Sequence, residues 1–260
     1  MEDMDEFLNS LRTQPRLIKI SIGESEEVFH VQQQVLENLS QYFVSALKRD
    51  TFVEGKIGAL DFPEDEVDVW RVLVHWVITR RLPRSFLEKD FLRGAIDLHL
   101  AVKCWTTGEK YGIGEFQNTV MLHILRRLDI MQSSTPAQSF DIDVVRVAFE
   151  LTGDGDCPLR DIFVDWMVMS LYDIDTSTDI RTRPLPQPLD TKLASLSVLD
   201  GTGFFPALTA KKANYDRHGD SAFDWRHNPD PMSDDPRWCV FFNTANPSAF
   251  TCACREGLEL

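Results

Sequence analysis

The chain has 260 residues, 43% hydrophobic and 26% charged, the composition of an ordinary globular protein with one sizeable domain or two small ones. A chain of this length can bury about three quarters of its extended surface, so a core does not depend on disulfide staples or a structural metal. Forty-one acids against 27 bases leave a net charge of −14, which repels phosphate backbones and anionic lipid and argues against nucleic acid or a membrane surface as a direct partner.

The opening residues Glu2, Asp3, Asp5 and Glu6 are acidic, unlike a secretory leader, and no apolar run approaches the roughly 18 residues of a membrane span. Five cysteines, Cys104, Cys157, Cys239, Cys252 and Cys254, are odd in number and unevenly spread, as free thiols in a reducing compartment are. The expected location is the cytoplasm or nucleus, which makes the Asn38-Leu39-Ser40 glycosylation triplet accidental. Met4, Phe7, Leu8 and Leu11 fall at the i, i+3, i+4, i+7 spacing of a helix with one apolar stripe.

After Pro15 the period changes to two. Ile18, Ile20 and Ile22 share one face of a strand, Gly23 to Glu26 reads as a turn, and Val28 to Val31 completes a hairpin. From Gln32 to Leu47 the helical spacing of Val35, Leu36, Leu39, Phe43 and Leu47, with Ser40 as a possible cap, predicts two short helices. Lys48 to Lys56 reads as a polar connector and Ile57 to Phe62 as a third strand. Pro63-Glu64-Asp65-Glu66 is expected to open a helix to about Ile78. Val67, Val69, Trp70, Leu73, Val74, Trp76 and Val77 make it apolar round most of its circumference, so it should be the most buried helix of this region.

A helix over 92–110, with Ala95, Leu98, Val102 and Trp105 on one face, is separated by Gly112-Ile113-Gly114 from another over 115–128. Met131 to Phe140 reads as a polar linker, followed by a helix capped by Asp141 and ending at Leu151, and by a helix from Pro158 to Tyr172. Arg183 to Pro188 alternates proline and should be extended. Beyond it only a weak helix at 192–199 is expected before an irregular tail.

This order of elements resembles the BTB/POZ domain, and particular segments carry the likeness. Ile18-Lys19-Ile20-Ser21-Ile22-Gly23 is similar to that family's first strand, and Phe29-His30-Val31 followed by Val35-Leu36 and Leu39-Ser40-Gln41-Tyr42-Phe43 resembles its "F.VH...L...S.YF" signature. Phe62-Pro63-Glu64-Asp65 and Trp70 to Thr79 resemble the exit of the third strand and the helix after it. Glu109-Lys110-Tyr111-Gly112-Ile113 with Glu115-Phe116-Gln117-Asn118 is similar to a segment of fungal members, as is Leu159-Arg160 with Asp161 to Trp166. The likeness covers about residues 7–172. It implies an α+β chain: a BTB/POZ domain over 1–128, a small three-stranded sheet flanked by a helical cluster with an N-terminal helix; a helical extension over 129–180; and a proline-containing linker with an irregular C-terminal region over 181–260.

The resemblance also implies a non-enzymatic protein–protein interaction module. Phe52-Val53-Glu54 fits the hydrophobic-x-Glu pattern by which some BTB domains dock cullin-3, so Phe52 and Glu54 are candidate partner-binding residues of a ubiquitin ligase adaptor. The bland alternative is that Phe52 folds back onto its own domain. Phe7 to Arg12 resembles the extra N-terminal helix of dimeric members, which makes Met4, Phe7, Leu8 and Leu11, packed on Leu36 and Leu39 of a second copy, a candidate homodimer interface; packing within one chain and fraying are the alternatives. Where the family carries a strand-one acid, a histidine and a following base, this chain has Leu17, Gln32 and Gln33, against the charged pocket at the family's dimer centre. An oligomeric scaffold or transcription-associated factor that meets no cullin is the rival reading.

Active-site motifs are missing: there is no G-x-G-x-x-G after the first strand, no P-loop, no G-x-S-x-G and no H-E-x-x-H. His30, His75, His99 and His123 read as structural or surface histidines, and Cys104 as a small buried hydrophobe. His218, His227, Cys239, Cys252 and Cys254 gather in the last fifty residues but lack the paired spacing of a zinc site. Asp173 to Asp179 lacks the glycine and closing glutamate of a calcium loop. No cofactor, metal or catalytic residue is expected; a hydrolytic or metal-binding C-terminal region is the remote alternative.

Overall fold

The computed structural model describes residues 16–24, 27–49, 52–83, 98–133, 142–153, 155, 157–172, 193–194 and 196–218, with the backbone alone over 129–133. It is mixed α+β. The central strand β1 (Leu17–Ile22) pairs antiparallel with β2 (Val28–Gln32) and parallel with β3 (Ala59–Phe62), giving the order β2-β1-β3. Leu17 lies opposite Gln32 and Ser21 opposite Val28, while Lys19 runs alongside Ala59 and Ile22 alongside Phe62. The two-residue period sends Ile18, Ile20 and Ile22 wholly into the core and leaves Leu17 and Lys19 outside. Gly23, at φ 56°, supplies the left-handed backbone that starts the hairpin turn.

Between β2 and β3 run α1 (Gln33–Glu37), α2 (Gln41–Ala46) and α3 (Val53–Ile57). The break between α1 and α2 falls where expected, but Ser40 caps only by its extended backbone, since its hydroxyl makes no capping bond. The expected connector over 48–56 contains α3, and β3 begins two residues later than expected, because Gly58 at φ 73° ends the helix in a left-handed turn.

Helix α4 (Val67–Thr79) starts after Glu66 and ends on Arg80 at φ 56°. Pro63 to Asp65 therefore form a turn rather than the first helical residues, with the Asp65 N–H donating to the Phe62 carbonyl at 3.2 Å. Val69, Trp70, Leu73, Trp76 and Val77 are buried as expected, together with Val72, whereas Val67 and Val74 are only partly covered. α5 (Leu98–Lys110) buries Leu98, Val102 and Trp105; Ala95 lies outside the described residues. α6 (Gly114–Ser133) crosses α5 where Gly108 approaches Gln117: a Cβ on the glycine would sit 3.1 Å from the Gln117 Cβ. Over its described side chains, 114–128, α6 is more buried than α4, and its backbone runs into the segment read as a linker from Met131.

Asp141 is outside the described residues, and α7 (Ile142–Leu151) follows it. α8 (Pro158–Leu171) carries proline in its first turn, with Cys157 at the cap. The regions read as an extended proline stretch and a rejected calcium loop are also outside the described residues. Of the weak helix expected at 192–199, the described residues show helical backbone at 193–194 and a 3-10 turn, Ser197–Leu199.

The C-terminal region departs furthest from expectation. Instead of an irregular tail directly after residue 199, α9 (Phe204–His218) packs onto α8, and Leu196, Leu199, Phe204 and Leu208 join the same hydrophobic core as the sheet isoleucines. Cys104 and Cys157 are buried thiols outside any disulfide; the other three cysteines lie outside the described residues. No described helix is long and apolar enough to cross a membrane.

Burial, followed by the charges of Arg126 and Arg127, pushes His123 on α6 down to about 4. An unfolded imidazole titrates near pH 6.5, so between those values the unfolded chain binds a proton the folded chain does not. Stability should therefore fall as pH drops through this window, by at most about 1.4 kcal/mol per pH unit from this group. Urea unfolding at neutral pH and at about pH 5 checks this: His123→Leu should lose that part of the pH dependence, and an unchanged slope would assign it to other groups.

Candidate docking surface

Helix α3 is too short to be stable alone, and three contacts hold it in place. Phe52, in extended conformation, precedes it, with its N–H donating to the Lys48 carbonyl at 3.3 Å. Gly55 faces inward so closely that a Cβ there would lie 2.4 Å from the Lys48 carbonyl oxygen, so only glycine lets the helix lie against that backbone. At the far end the Arg16 guanidinium donates to the carbonyls of Gly55 at 2.6 Å and Lys56 at 3.1 Å, and to Gln33 Oε1 at 3.1 Å. It satisfies carbonyls that the end of a helix leaves without partners, and places a cation at the negative end of the dipole.

With its inner side fixed by Gly55, α3 turns its larger side chains outward. Phe52 is 47% exposed, Val53 66% and Ile57 67%, and Leu17, next to Arg16, is 54% exposed. Glu54 and Lys56 are exposed beside them. Phe52 therefore does not fold back into its own core, and Glu54 stands on the same short helix, two residues on. Phe52 caps a helix rather than sitting on a plain solvated loop. Partly exposed Tyr42 is near enough that Glu54 and Asp65 help hold its phenol up, burial being the larger cause and Lys110 opposing it.

No family model, curated protein or solved structure matches this chain.

Behind Tyr42 lies a largely buried acceptor, Asp65, which the sequence marks only as one of the residues expected to open a helix. Asp65 Oδ2 accepts from Trp70 Nε1 at 2.7 Å and from the Tyr111 hydroxyl at 2.6 Å, and Oδ1 accepts from Lys110 Nζ at 2.7 Å. The Tyr111 ring centroid is 5.0 Å from that of Tyr42 and 5.8 Å from that of Trp70, and Phe62 stacks on Trp70 at 4.6 Å. Burial first, then the bond to Asp65, raises the Tyr111 pKa far above its ordinary value, so the hydroxyl remains a donor. This hub ties the exit of β3 to the end of α5.

The expected interface residues separate. Leu36 is 2% exposed and belongs to the chain's own core, so it has no apolar surface left to offer a second copy; it lies on the inward side of α1. Leu39 is half-buried against that core. Met4, Phe7, Leu8 and Leu11 lie outside the described residues. Among the described residues no group of three or more His, Cys, Asp or Glu is placed to hold a metal, and of the C-terminal His/Cys set only His218 is described. Arg16, Gly55, Val53, Ile57 and Asp65 were not singled out from sequence. The one usable signal for α3 was the Val53–Ile57 spacing of i, i+4 closed by Gly58.

Proposed function

We propose that this chain is a BTB/POZ-type interaction protein without bond chemistry of its own, and that its α3 surface docks a cullin-3-type scaffold so that a bound client is brought to a ubiquitin ligase. The observation that carries this reading is Phe52: an aromatic side chain left half exposed on a short helix that Gly55 and Arg16 fix to the domain, with Glu54 beside it. An aromatic anchor that enters a partner pocket already oriented loses little conformational freedom on binding, and a flanking carboxylate adds a directional, charge-assisted bond. The hairpin, three short helices, parallel third strand and buried helix, in that order, support the family reading. As an adaptor the chain would act by raising the local concentration of client, a contribution of proximity alone.

The test is recovery of the cullin-3 N-terminal domain by the full chain and by the Phe52→Ala/Glu54→Ala variant. Loss of an anchor worth about 2 kcal/mol should weaken binding roughly thirtyfold. Both side chains are exposed, so the urea midpoint should stay in place. Equal recovery from the two proteins would remove the docking role and leave the scaffold reading.

A further inference from the structure

Helix α9 carries two consecutive lysines that do different things. Lys211 Nζ meets the Asp165 carboxylate at 2.6 Å, and that side chain is 2% exposed, so together with buried Phe204 and Leu208 the contact holds α9 onto α8. Lys212 goes elsewhere. Its Nζ lies 4.8 Å from the ring centroid of Tyr172, where α8 ends, 5.8 Å from that of Tyr215, one turn further along α9, and 2.5 Å from Asp216 Oδ1. Two aromatic rings within about 6 Å of one ammonium, with a carboxylate beside them, match the aromatic cages that recognise alkylated ammonium groups.

Helix stability does not account for the carboxylate. A lysine four residues before an acid is the weaker order of an i, i+4 pair, and Asp216 stands in the last turn of α9, at the negative end of the dipole, where an acid is unfavourable. The Asp216 side chain is also 58% exposed, so its pair with Lys212 is within reach of water and contributes little. Lys212 is therefore a weakly held occupant. A methylated ammonium is less strongly hydrated than that of lysine and gives up less on entering between two rings. The net charge of −14 attracts cations to the chain as a whole.

We infer that Tyr172, Tyr215 and Asp216 form a binding site for a methylated ammonium group, at the end of a methylated lysine or of a free quaternary amine, and that Lys212 fills this site until such a group displaces it. The site shares no residue with α3 and stands whether or not that surface docks a cullin.

Ligand-observed NMR titration of the full chain at constant ionic strength tests this, with N-acetyl-trimethyllysine amide, choline and N-acetyl-lysine amide as probes. Lys212→Ala should bind the methylated probes about fivefold more tightly than wild type, because the competing occupant is gone. In that background Tyr215→Leu and Asp216→Asn should each weaken binding about fivefold, and the unmethylated lysine amide should bind about fivefold more weakly than its trimethylated form. Far-ultraviolet circular dichroism checks that each variant is folded; Asp216→Asn changes an exposed side chain and keeps its shape. Tighter binding of the trimethyllysine amide than of choline would make a partner protein the source of the group, and the reverse order a free amine; either result supports the site. Equal affinity of wild type and Lys212→Ala would overturn it, as would affinity that survives Tyr215→Leu and Asp216→Asn, or probes bound alike with and without methyl groups. Absence of binding by Lys212→Ala would also overturn it and leave Lys212 a clasp between α8 and α9.

Discussion

Phe204→Ala is expected to destabilise the whole chain by about 3–5 kcal/mol, the usual cost of emptying a large aromatic site in a packed core. Phe204 is fully buried, its ring edge-on to Phe149 of α7 at 5.6 Å, and Leu208 one turn later is buried too. Polar contacts fix the same helix: Lys211 Nζ lies 2.6 Å from the buried Asp165 Oδ1 on α8, and Lys212 Nζ lies 4.8 Å from the Tyr172 ring centroid. Urea unfolding followed by far-ultraviolet circular dichroism and by tryptophan fluorescence reads the result. One shifted, coincident transition is expected, because α9 shares its core with the sheet. A small early transition from the helix alone, with the main midpoint unmoved, would show that α9 is an appendage.

Asp65→Ala should cost about 2–4 kcal/mol, because it strips the acceptor from two largely buried donors, the Trp70 indole and the Tyr111 hydroxyl, and leaves them without their bonds. Asp65→Asn, which keeps an oxygen for those donors and loses the charge attracting Lys110, should lose less, about 1 kcal/mol. Denaturant midpoints of the three proteins rank them. An alanine variant within about 0.5 kcal/mol of wild type would mean that the hub is not what joins β3 to α5. The same variant should also loosen Tyr42, whose ring rests on Tyr111.

Strand β1 was legible because three isoleucines at alternate positions admit one register with one buried face. α8 was legible from proline in its first turn. α3 was missed as a helix because five residues are too few for a 3.6-residue period to show, and what holds it, a guanidinium from before β1 and the approach of Gly55 to Lys48, comes from distant or backbone atoms. α9 was hidden for other reasons. Gly201 and Gly203, at φ 78° and 87°, turn the chain into the helix, and Pro206 falls in its first turn, where its missing N–H costs nothing, so no apolar period in the sequence announced it. Asp65 carries no sequence mark that separates it from Glu64 or Glu66; its importance arises only once the fold brings Trp70 and Tyr111 to it. Leu36 shows the converse, since an apolar stripe on a short helix says that something must cover it but not whether that is the same molecule.

The fit of Gly55 against the Lys48 carbonyl divides α3 into a side that tolerates no change and a side that is largely exposed. Drift in sequence at 52, 53 and 57 would leave the backbone where it is and alter only the contour offered to whatever arrives. If a partner docks on α3 as proposed, its preference can be changed at these three positions, whereas any side chain at Gly55 meets the Lys48 carbonyl and disturbs the fold first.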